Sequence, residues 1–437
     1  MSTTTVASIR ASLSGVVGNS VLASEADLHR YAVDGLAPSA AVFPASEDQL
    51  SAVLALASRE GWAVVPRGNG SLMALGGVPE RVDVVIGLSI LPSVIQHAPG
   101  DLTVTVGAGT TLAELQHKLA QEGQWLPLDP PLALRRTVGG VLATNLAGPL
   151  SLGFGTARDM VIGMKVAGPD GVITKSGGKV VKNVTGFDVA KVHLGALGTL
   201  GVIVEASFKV APLPKKDVTA EGTFPSLASA IAAAGSLAFG TVSPQAIEVE
   251  AVKDGAMAHV RLMGGSASME RRLREGASVL RGGGAEGVEV VDGGVAAQAW
   301  LRLADFGWDA PADDGLLLRL GCLPSRVAEM AAAVVEMAAR SHSAMMLTAG
   351  PGRGIVRCYI PKVASQQLDD VVAMVAEARQ LAARLGGYAL VERCPLELKR
   401  GVDVWGDPGD GLHLMRRLKQ QMDAGGNLNP GRSVGGI

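Results

Sequence analysis

The sequence has little of what defines several common classes of binding protein. Aromatic residues make up 3% of the 437 residues, and 39 Lys and Arg residues are balanced by 41 Asp and Glu residues without a block of either sign. Nucleic-acid-binding surfaces depend on clustered basic charge and on aromatic stacking. We therefore expect a small-molecule substrate and no nucleic-acid partner.

Long apolar runs are also missing. No stretch approaches the roughly 20 apolar residues of a membrane-spanning helix, and the start MSTTTVASIR has no charged segment followed by an apolar core. The expected location is the cytoplasm, with any attachment to the inner face of a membrane made through partners.

Cysteine is scarce. Cys322, Cys358 and Cys394 are an odd, widely spaced set without a CxxC pair. They are too few for a four-cysteine iron–sulfur cluster and do not resemble a disulfide framework. We expect free, buried thiols and no bound metal.

Glycine, in contrast, is abundant, with 57 residues. It clusters between Thr137 and Val210, and a further loop, Pro66–Ser71 (PRGNGS), follows the apolar run 62–65. Such density favours turns with positive φ or a backbone that closely approaches a ligand. The loop is not a full GxGxxG motif, because Met73 occupies the last glycine position. Taken alone, it fits either an anion-binding nest of N–H groups or a plain hairpin. Three glycine segments in order favour a dinucleotide held by backbone groups.

The length predicts two domains, because single cores rarely grow beyond about 250–300 residues. Capping patterns predict helices at 46–61 and 111–123, and apolar runs predict strands at 82–86, 103–106, 161–166 and 202–210. Prolines in the segment 211–216 break this pattern and suggest a domain boundary. Beyond it the patterns predict helices at 268–280, 325–340 and 366–385 and strands at 246–250, 259–263, 316–320, 345–348, 355–360 and 388–391. Strands with intervening helices indicate a second α+β domain, and the segment 281–294 is expected to be a mobile loop.

The glycine segments resemble the FAD-binding domain of the vanillyl-alcohol oxidase and para-cresol methylhydroxylase (PCMH-type) superfamily. PRGNGS is similar to its first pyrophosphate loop, TVGGVLATNLAG to its second flavin segment and GALGTLGVI to its adenine-side turn. Within the superfamily, KNVTGFD and the terminal NLNPGR are similar to segments of the glycolate oxidase branch. The segments NLAGP and SGGKVVKNVTGFD most resemble the smaller of the two FAD-binding subunits of the bacterial glycolate oxidase complex.

This resemblance implies an α+β fold with a two-part FAD-binding domain at 1–213, an α+β cap domain with a ferredoxin-like antiparallel sheet at 214–400, and a C-terminal segment, 401–437, that returns to the flavin. No histidine lies in the loop 67–71 or the segment 137–145, so the FAD is expected to be non-covalent. The implied cofactor-binding residues are Arg67, Gly68, Asn69, Gly70, Ser71, Pro130, Thr137, Val138, Gly139, Gly140, Ala143, Thr144, Asn145, Gly148, Thr156, Arg158, Gly198, Gly201, Val202, Ile203 and Asn429.

The chain departs from the pattern of the branch's catalytic subunit and of related D-lactate dehydrogenases. Their HxGDGNxH and Glu-His-Gly segments, which hold a metal and orient the hydroxy acid, correspond here to 349–354 and 402–406, without histidine. Catalytic residues are therefore unknown at this stage. His342 and His413 are candidate bases, although a lone histidine is more often a surface residue. Arginines suited to bind a carboxylate are Arg353, Arg357, Arg393 and Arg432, although most such arginines face solvent.

The leading hypothesis is an FAD-binding subunit of a glycolate oxidase type complex, which oxidises glycolate or another small 2-hydroxy acid and passes electrons to an iron–sulfur partner. Because the catalytic ligands are missing, most of the hydroxy acid chemistry would take place in a homologous flavin subunit. The alternatives are a stand-alone FAD-dependent alcohol or hydroxy acid dehydrogenase and a structural flavoprotein subunit.

Overall fold

The structure, a computed structural model, describes residues 6–18, 22–91, 96–178, 188–310, 314–341 and 343–437. The segment 182–187, which carries part of the family resemblance, and the candidate base His342 lie outside the described residues.

The N-terminal part begins with a small parallel sheet. It contains, in chain order, α1 (Val6–Val17), β1 (Ala40–Val42), α2 (Glu47–Glu60), β2 (Val64–Arg67) and β3 (Val84–Gly87), with the strand order β1-β3-β2. The predicted helix at 46–61 is confirmed. The Ser46 side chain accepts a hydrogen bond from Gln49 N, and Gly61 ends the helix with a φ of 68°, where glycine is favoured over other residues.

A second, antiparallel sheet completes this part of the chain. Its five strands have the order β4-β5-β9-β7-β8, and two short strands, β6 and β10, pair beside it. The elements are β4 (Gln96–Ala98), β5 (Thr103–Gly107), α3 (Leu112–Ala120), β6 (Gln124–Trp125), α4 (Val138–Thr144), α5 (Ser151–Phe154), α6 (Ala157–Met160), β7 (Val161–Ala167), β8 (Ile173–Gly177), β9 (Val202–Lys209) and β10 (Ala211–Pro212). The predicted capping box at Thr111 and Glu114 is present.

The following residues build an eight-stranded antiparallel sheet with the order β14-β11-β13-β12-β16-β17-β15-β18. Its elements are β11 (Lys216–Phe224), α7 (Leu227–Ala238), β12 (Ala246–Val252), β13 (Gly255–Gly264), α8 (Ser266–Gly282), β14 (Gly287–Asp292), α9 (Gly293–Ala304), β15 (Leu316–Gly321), α10 (Val327–Arg340), β16 (Met346–Gly350), β17 (Ile355–Ile360), α11 (Leu368–Arg384) and β18 (Tyr388–Arg393). All the helices and strands predicted here are confirmed in type, which agrees with the expected antiparallel α+β cap.

Two expectations about local structure are wrong, the loop at 281–294 and the interruption of strand pairing at 211–216. The segment 281–294 is not a loop, because it contains the end of α8, the edge strand β14 and the start of α9. The alternation Val288-Glu289-Val290 is the strand signal that the surrounding glycines obscured. The segment 211–216 also takes part in pairing, because Ala211 and Pro212 pair with β6 and Lys216 begins β11. Pro212 is tolerated because this short strand lies at a sheet edge.

The hydrophobic residues form two main clusters. One draws its buried residues from 9–210 together with Leu428, and the other from 218–404. The clusters separate between residues 210 and 218, next to the expected boundary at 213, although the domain limits as such stay a prediction.

The chain ends with α12 (Leu396–Gly401), α13 (Leu412–Met422) and a segment that returns to β2. There Val64 N donates to Asn427 O over 2.7 Å and Asn429 N donates to Val64 O over 2.8 Å. Residues 427–429 therefore pair with the strand that leads into the PRGNGS loop. Among the described residues, the helices are all too short or too polar to cross a membrane.

Candidate functional site

Two adjoining cavities lie where the PRGNGS loop meets the segment before α4. The space between protein atoms in them, part of it open to solvent, is about 550 and 370 Å³. The residues shared by both are Pro66, Arg67, Gly68, Thr137, Gly140 and Ala143. The first cavity adds Asn69, Gly70, Ser71, Leu72, Met73, Leu75, Arg136, Thr144, Leu197, Asn429 and Arg432, and the second adds Leu88, Ala108, Gly139, Gly198, Gly201, Val202 and Ile203.

Glycine is required where the two segments cross. A Cβ atom at Gly68 would collide with the Oγ1 atom of Thr137, and one at Gly139 would lie 2.8 Å from the Cβ atom of Ala108. Asn69 Nδ2 donates to Arg135 O over 3.0 Å and so ties the loop to the same segment. The glycines therefore permit a close approach of the two backbone segments that line the cavities, which any side chain would prevent.

The far end of the second cavity is also built on glycine. Gly198 has a φ of 74°, and a Cβ atom at Gly201 would lie 2.5 Å from Val166 Cγ1. The strand β9 then starts at Val202, which lines the cavity.

Asn429 closes the first cavity from the C-terminal side. Its φ is 45°, a conformation that Asn adopts more readily than most residues. Its Nδ2 atom donates to Leu197 O over 2.6 Å, whereas its Oδ1 atom is buried without a partner in the part of the chain that the structure describes. An acceptor oxygen is thus free to receive a hydrogen bond from a ligand.

The cavities do not include every predicted cofactor-binding residue. Val138 is buried in the core, and Asn145 ends α4 with a φ of 48°. The remaining ones lie beyond the cavity walls: Pro130, Gly148, Thr156 and Arg158. Arg158 is exposed. Its neighbour Asp159 accepts hydrogen bonds from Thr156 N and Oγ1 over 2.7 and 2.9 Å.

Arg136 was not among the predicted residues, although it lines the first cavity. It is 2% exposed. Its Nη2 atom donates to Gly140 O over 2.6 Å and to Thr144 Oγ1, while its Nη1 atom has no acceptor. Nothing in the sequence pattern distinguishes it from its exposed neighbour Arg135.

Three of the other candidates have structural partners or lie on the surface. Arg432 is buried and donates to Asp34 Oδ2 over 2.9 Å and to three backbone carbonyls. Arg393 donates to Gly307 O and Ala310 O over 3.2 and 3.0 Å. His413 is exposed, and its Nδ1 atom lies 2.7 Å from Asp410 O.

The cap sheet brings further charged residues to the FAD-binding part. Arg353 pairs with Glu248 and donates to Gly148 O over 3.4 Å. Arg357, on β17, is 3% exposed and donates to Ala304 O and Ala147 O over 3.4 and 3.3 Å. Burial lowers the pKa of Arg357.

Arg319 lies directly opposite Arg357 on β15. The Nε atoms of both arginines are buried without an acceptor, and so is the Oε1 atom of Glu392, which lies 3.9 Å from Arg319 Nη1. Leu317 and Tyr359 lie on the same face of the sheet and pack in one cluster with three residues of the first cavity, Leu72, Leu75 and Leu197. The arginine pair therefore faces the cavity side of the cap.

Asp129, on the FAD-binding part, lies against Gly148, whose carbonyl oxygen accepts from Arg353. Its Oδ2 atom accepts a hydrogen bond from Leu150 N over 2.8 Å. Burial raises its pKa to about 7, against the opposing effects of that hydrogen bond and of Arg353. A carboxyl group that titrates near neutrality suits acid–base chemistry.

The comparisons with known proteins agree with this geometry. Residues 38–177 match the family described as FAD binding domain. The chain is 25% identical to glycolate oxidase subunit GlcD of Bacillus subtilis over 90% of its own length and 88% of that protein. It is 36% identical to glycolate oxidase subunit GlcE of Escherichia coli over 29% of the chain and 36% of that protein. A mitochondrial D-lactate dehydrogenase (cytochrome) of Arabidopsis thaliana is 32% identical over 44% of the chain and 34% of that protein.

Among solved structures, p-cresol methylhydroxylase has a TM-score of 0.78 at 14% identity, covering 97% of this chain and 96% of that one. The fold is therefore the PCMH-type fold expected from the sequence. The narrower resemblance to the smaller FAD-binding subunit is not confirmed, because the alignment with GlcD spans most of the chain whereas that with GlcE spans less than a third.

The described residues fit FAD. The cavities are lined by backbone that glycine keeps accessible, and they contain unpartnered polar atoms on Arg136, Asn429 and Arg432. FAD is the cofactor, and the chain is an FAD-dependent oxidoreductase. The individual contacts, and the expectation that the FAD is non-covalent, stay predictions.

Proposed function

We propose that this chain is an FAD-binding subunit of a glycolate oxidase type complex that oxidises glycolate or another small 2-hydroxy acid. Its partners would be a homologous FAD-binding subunit and an iron–sulfur subunit. The names of the relatives support the proposal, since they include two glycolate oxidase subunits, D-lactate dehydrogenases and D-2-hydroxyglutarate dehydrogenases.

The arginine pair on the cap sheet is the observation that carries the proposal for this chain itself. Two guanidinium groups on adjacent strands, each with a buried N–H lacking an acceptor, suit a carboxylate. Both lie on the sheet face that packs against the first cavity. Arg357 and Arg319 would therefore hold the carboxylate of the hydroxy acid.

Oxidation of a 2-hydroxy acid also needs a group that accepts the hydroxyl proton. FAD, when bound, accepts the hydride from C2 of such an acid. Asp129 is our candidate for the base, because it is close enough to Arg353 to be influenced by its charge and its pKa of about 7 matches the task. If so, this subunit has its own acid–base group despite lacking the family's histidine-rich segment.

Electrons would then leave through a partner. The free cysteines Cys322, Cys358 and Cys394 do not form a cluster site, and in the described part of the chain no three His, Cys, Asp or Glu side chains are grouped as metal ligands. An iron–sulfur subunit would supply the acceptor, and we propose a cytoplasmic location with membrane attachment only through partners.

The test is the visible absorption of the flavin under anaerobic conditions, recorded for the chain alone and co-purified with its partners. Glycolate and D-lactate should bleach the flavin, whereas acetate and propionate, which lack the 2-hydroxyl group, should perturb the spectrum without bleaching it. Flavin that stays oxidised with every 2-hydroxy acid in both preparations would overturn the proposal.

The same experiment separates the alternatives. Sustained turnover by the chain alone with a soluble acceptor would favour a stand-alone dehydrogenase. Flavin of this subunit that stays oxidised while the assembled complex turns over would favour a structural subunit.

A further inference from the structure

The Arg136 side chain is enclosed at the first cavity, next to Thr137, which lines both cavities. The protein uses only part of its hydrogen-bonding capacity. Its Nη2 atom has two acceptors on α4, Gly140 O and Thr144 Oγ1. Its Nη1 atom has none among the described residues, although the residue is 2% exposed and lines the first cavity. A buried N–H without a partner is costly, so a ligand group is the natural acceptor.

The charge of Arg136 is also uncompensated. The described residues that line the two cavities include no Asp or Glu, and no carboxylate of the described chain lies within ion-pair distance of Arg136 or Arg67. Arg432, the third arginine at the first cavity, differs because Asp34 is its counter-charge. Two cations therefore face the cavities without an anion.

A purely structural role would not account for the buried charge of Arg136. A brace for α4 needs only the two hydrogen bonds of Nη2, which a neutral amide would also donate. It would not need a full guanidinium charge, which is expensive to bury without a partner. Burial lowers the pKa of Arg136 to about 9, which still leaves the side chain charged at neutral pH.

The neighbours of Arg136 locate the expected anion. Arg135 O accepts the hydrogen bond of Asn69, and Thr137 is in contact with Gly68. Arg136 thus lies between two residues that both touch the PRGNGS loop, which carries the cation Arg67. Arg67 Nη1 donates to Arg30 O over 2.9 Å, and its guanidinium lies 5.1 Å from the centre of the Tyr31 ring.

We propose that Arg136 binds the pyrophosphate of FAD and, together with Arg67, neutralises its two negative charges. The backbone N–H groups of the glycine segments would then position the cofactor, and the Arg136 fork would supply a charge-assisted hydrogen bond. This assignment concerns the cofactor and stands whether or not the proposed substrate is correct.

The test compares Arg136→Met with Arg135→Met, which removes the exposed neighbouring cation. After removal of the flavin, FAD is titrated into each apoprotein and binding is followed by quenching of flavin fluorescence. We expect Arg136→Met to weaken FAD binding about 10- to 100-fold, the usual range for a charged hydrogen bond. ADP, measured by its competition with FAD, should weaken equally, whereas competition by adenosine should be unchanged. Arg135→Met should resemble the wild type.

Three controls keep the result interpretable. The two variant apoproteins should unfold at similar temperatures. If Arg136→Met does not fold, the replacement experiment measures whether inorganic pyrophosphate competes with FAD for the wild-type apoprotein. A lack of competition would overturn the proposal. FAD affinity of a folded Arg136→Met variant within about twofold of Arg135→Met would overturn it as well. So would unchanged FAD affinity with a lowered flavin reduction potential, because the guanidinium would then face the flavin ring.

Discussion

Arg319 and Arg357 lie directly opposite each other on the antiparallel strands β15 and β17, with the Nε atom of each buried and without an acceptor. Like charges in opposing positions of a sheet destabilise it. Glu392 is the counter-charge of the pair, since its Oε1 atom lies 3.9 Å from Arg319 Nη1 and its charge opposes the effect of burial, which lowers the pKa of Arg357. The two Nε–H groups still lack an acceptor among the described residues, which suits a ligand that brings a second carboxylate. The pair is therefore the most informative feature of the cap.

Replacing Arg357 by Met should weaken carboxylate binding. The titration of acetate or glycolate, followed by the change in the flavin spectrum, should show an affinity about 10- to 100-fold lower, because a charged hydrogen bond is lost. Stability should also fall, because the variant loses the hydrogen bonds to Ala304 O and Ala147 O and part of the positive charge that faces buried Glu392. Arg384→Met, at an exposed position of α11, is the control. Equal affinity in both variants would mean that Arg357 does not bind the carboxylate.

Replacing Asp129 by Asn should slow the reduction of the flavin by substrate and change its pH dependence. Burial raises the pKa of Asp129 to about 7, and a base acts only when deprotonated. The wild-type rate should therefore rise with pH through about 7, whereas the variant should lose this step and keep its substrate affinity. Stopped-flow absorbance over a pH range that brackets this value measures both. A variant with the wild-type pH profile would exclude Asp129 as the base.

Local signals of the sequence predicted much of the fold because they act over a few residues. Ser46 and Gly61 bound α2 as expected, although Gln49 Oε1 accepts from Ala45 N, one residue earlier than a capping box requires. The same local signals failed for β14, where glycines on both sides hide a short alternating strand, and for α13, whose sequence LHLMRRLKQQM buries none of its residues.

The sequence predicted the glycine segments that line the candidate site, but it did not predict the charged residues of the site. Glycines that approach a ligand are visible in a sequence because their spacing is unusual. The isolation of Arg136 in a cavity and the opposition of Arg319 and Arg357 are not visible, because both depend on which distant segments meet. Asp129 likewise gains its raised pKa only from burial in the folded chain.

Replacing Gly68 by Ala should reduce FAD content and stability together. The new methyl group would collide with Thr137 Oγ1, and overpacking of this kind costs about 1–3 kcal/mol. The ratio of flavin to protein absorbance and the free energy of unfolding in urea measure the two effects. Adding Thr137→Ala should recover part of the loss, because it removes the colliding atom. Gly401→Ala, where the added Cβ has no neighbour within 4 Å, should have neither effect.

Replacing Asp34 by Asn should destabilise the chain by about 3–5 kcal/mol, the range for removing one partner of a buried ion pair. Asp34 Oδ2 accepts from Lys399 Nζ over 2.6 Å and from Arg432 Nη1 over 2.9 Å, and both basic side chains are 3% exposed. Asn is nearly isosteric and tolerates the φ of 48° at this position, so the loss of charge is isolated. Urea unfolding beside the exposed control Asp254→Asn measures the difference, and equal midpoints would contradict the prediction.

The pH dependence of the unfolding free energy should show that His259 stabilises the fold in its protonated form. Its Nδ1 atom lies 2.9 Å from Glu221 Oε1 and its Nε2 atom 3.4 Å from Glu250 Oε1, which also pairs with Arg302. Burial alone would lower the pKa of His259, but the two carboxylates outweigh burial and raise it above its ordinary value of 6.5. A histidine whose pKa is raised on folding contributes stability that is complete below its unfolded pKa and is lost as the pH rises through the folded one. The unfolding free energy contributed by His259 should therefore fall as the pH increases above 6.5.

His193 acts in the opposite sense and in another pH window, because burial lowers its pKa from 6.5 to about 4 and its contribution to stability rises with pH between these values. The difference in unfolding free energy between the wild type and His259→Gln cancels the contributions of His193 and Asp129. This difference should decrease above pH 6.5, where His259 begins to lose its proton, whereas the difference for the surface variant His413→Gln should stay flat. A His259→Gln difference that is independent of pH would mean that His259 remains neutral between its two carboxylates.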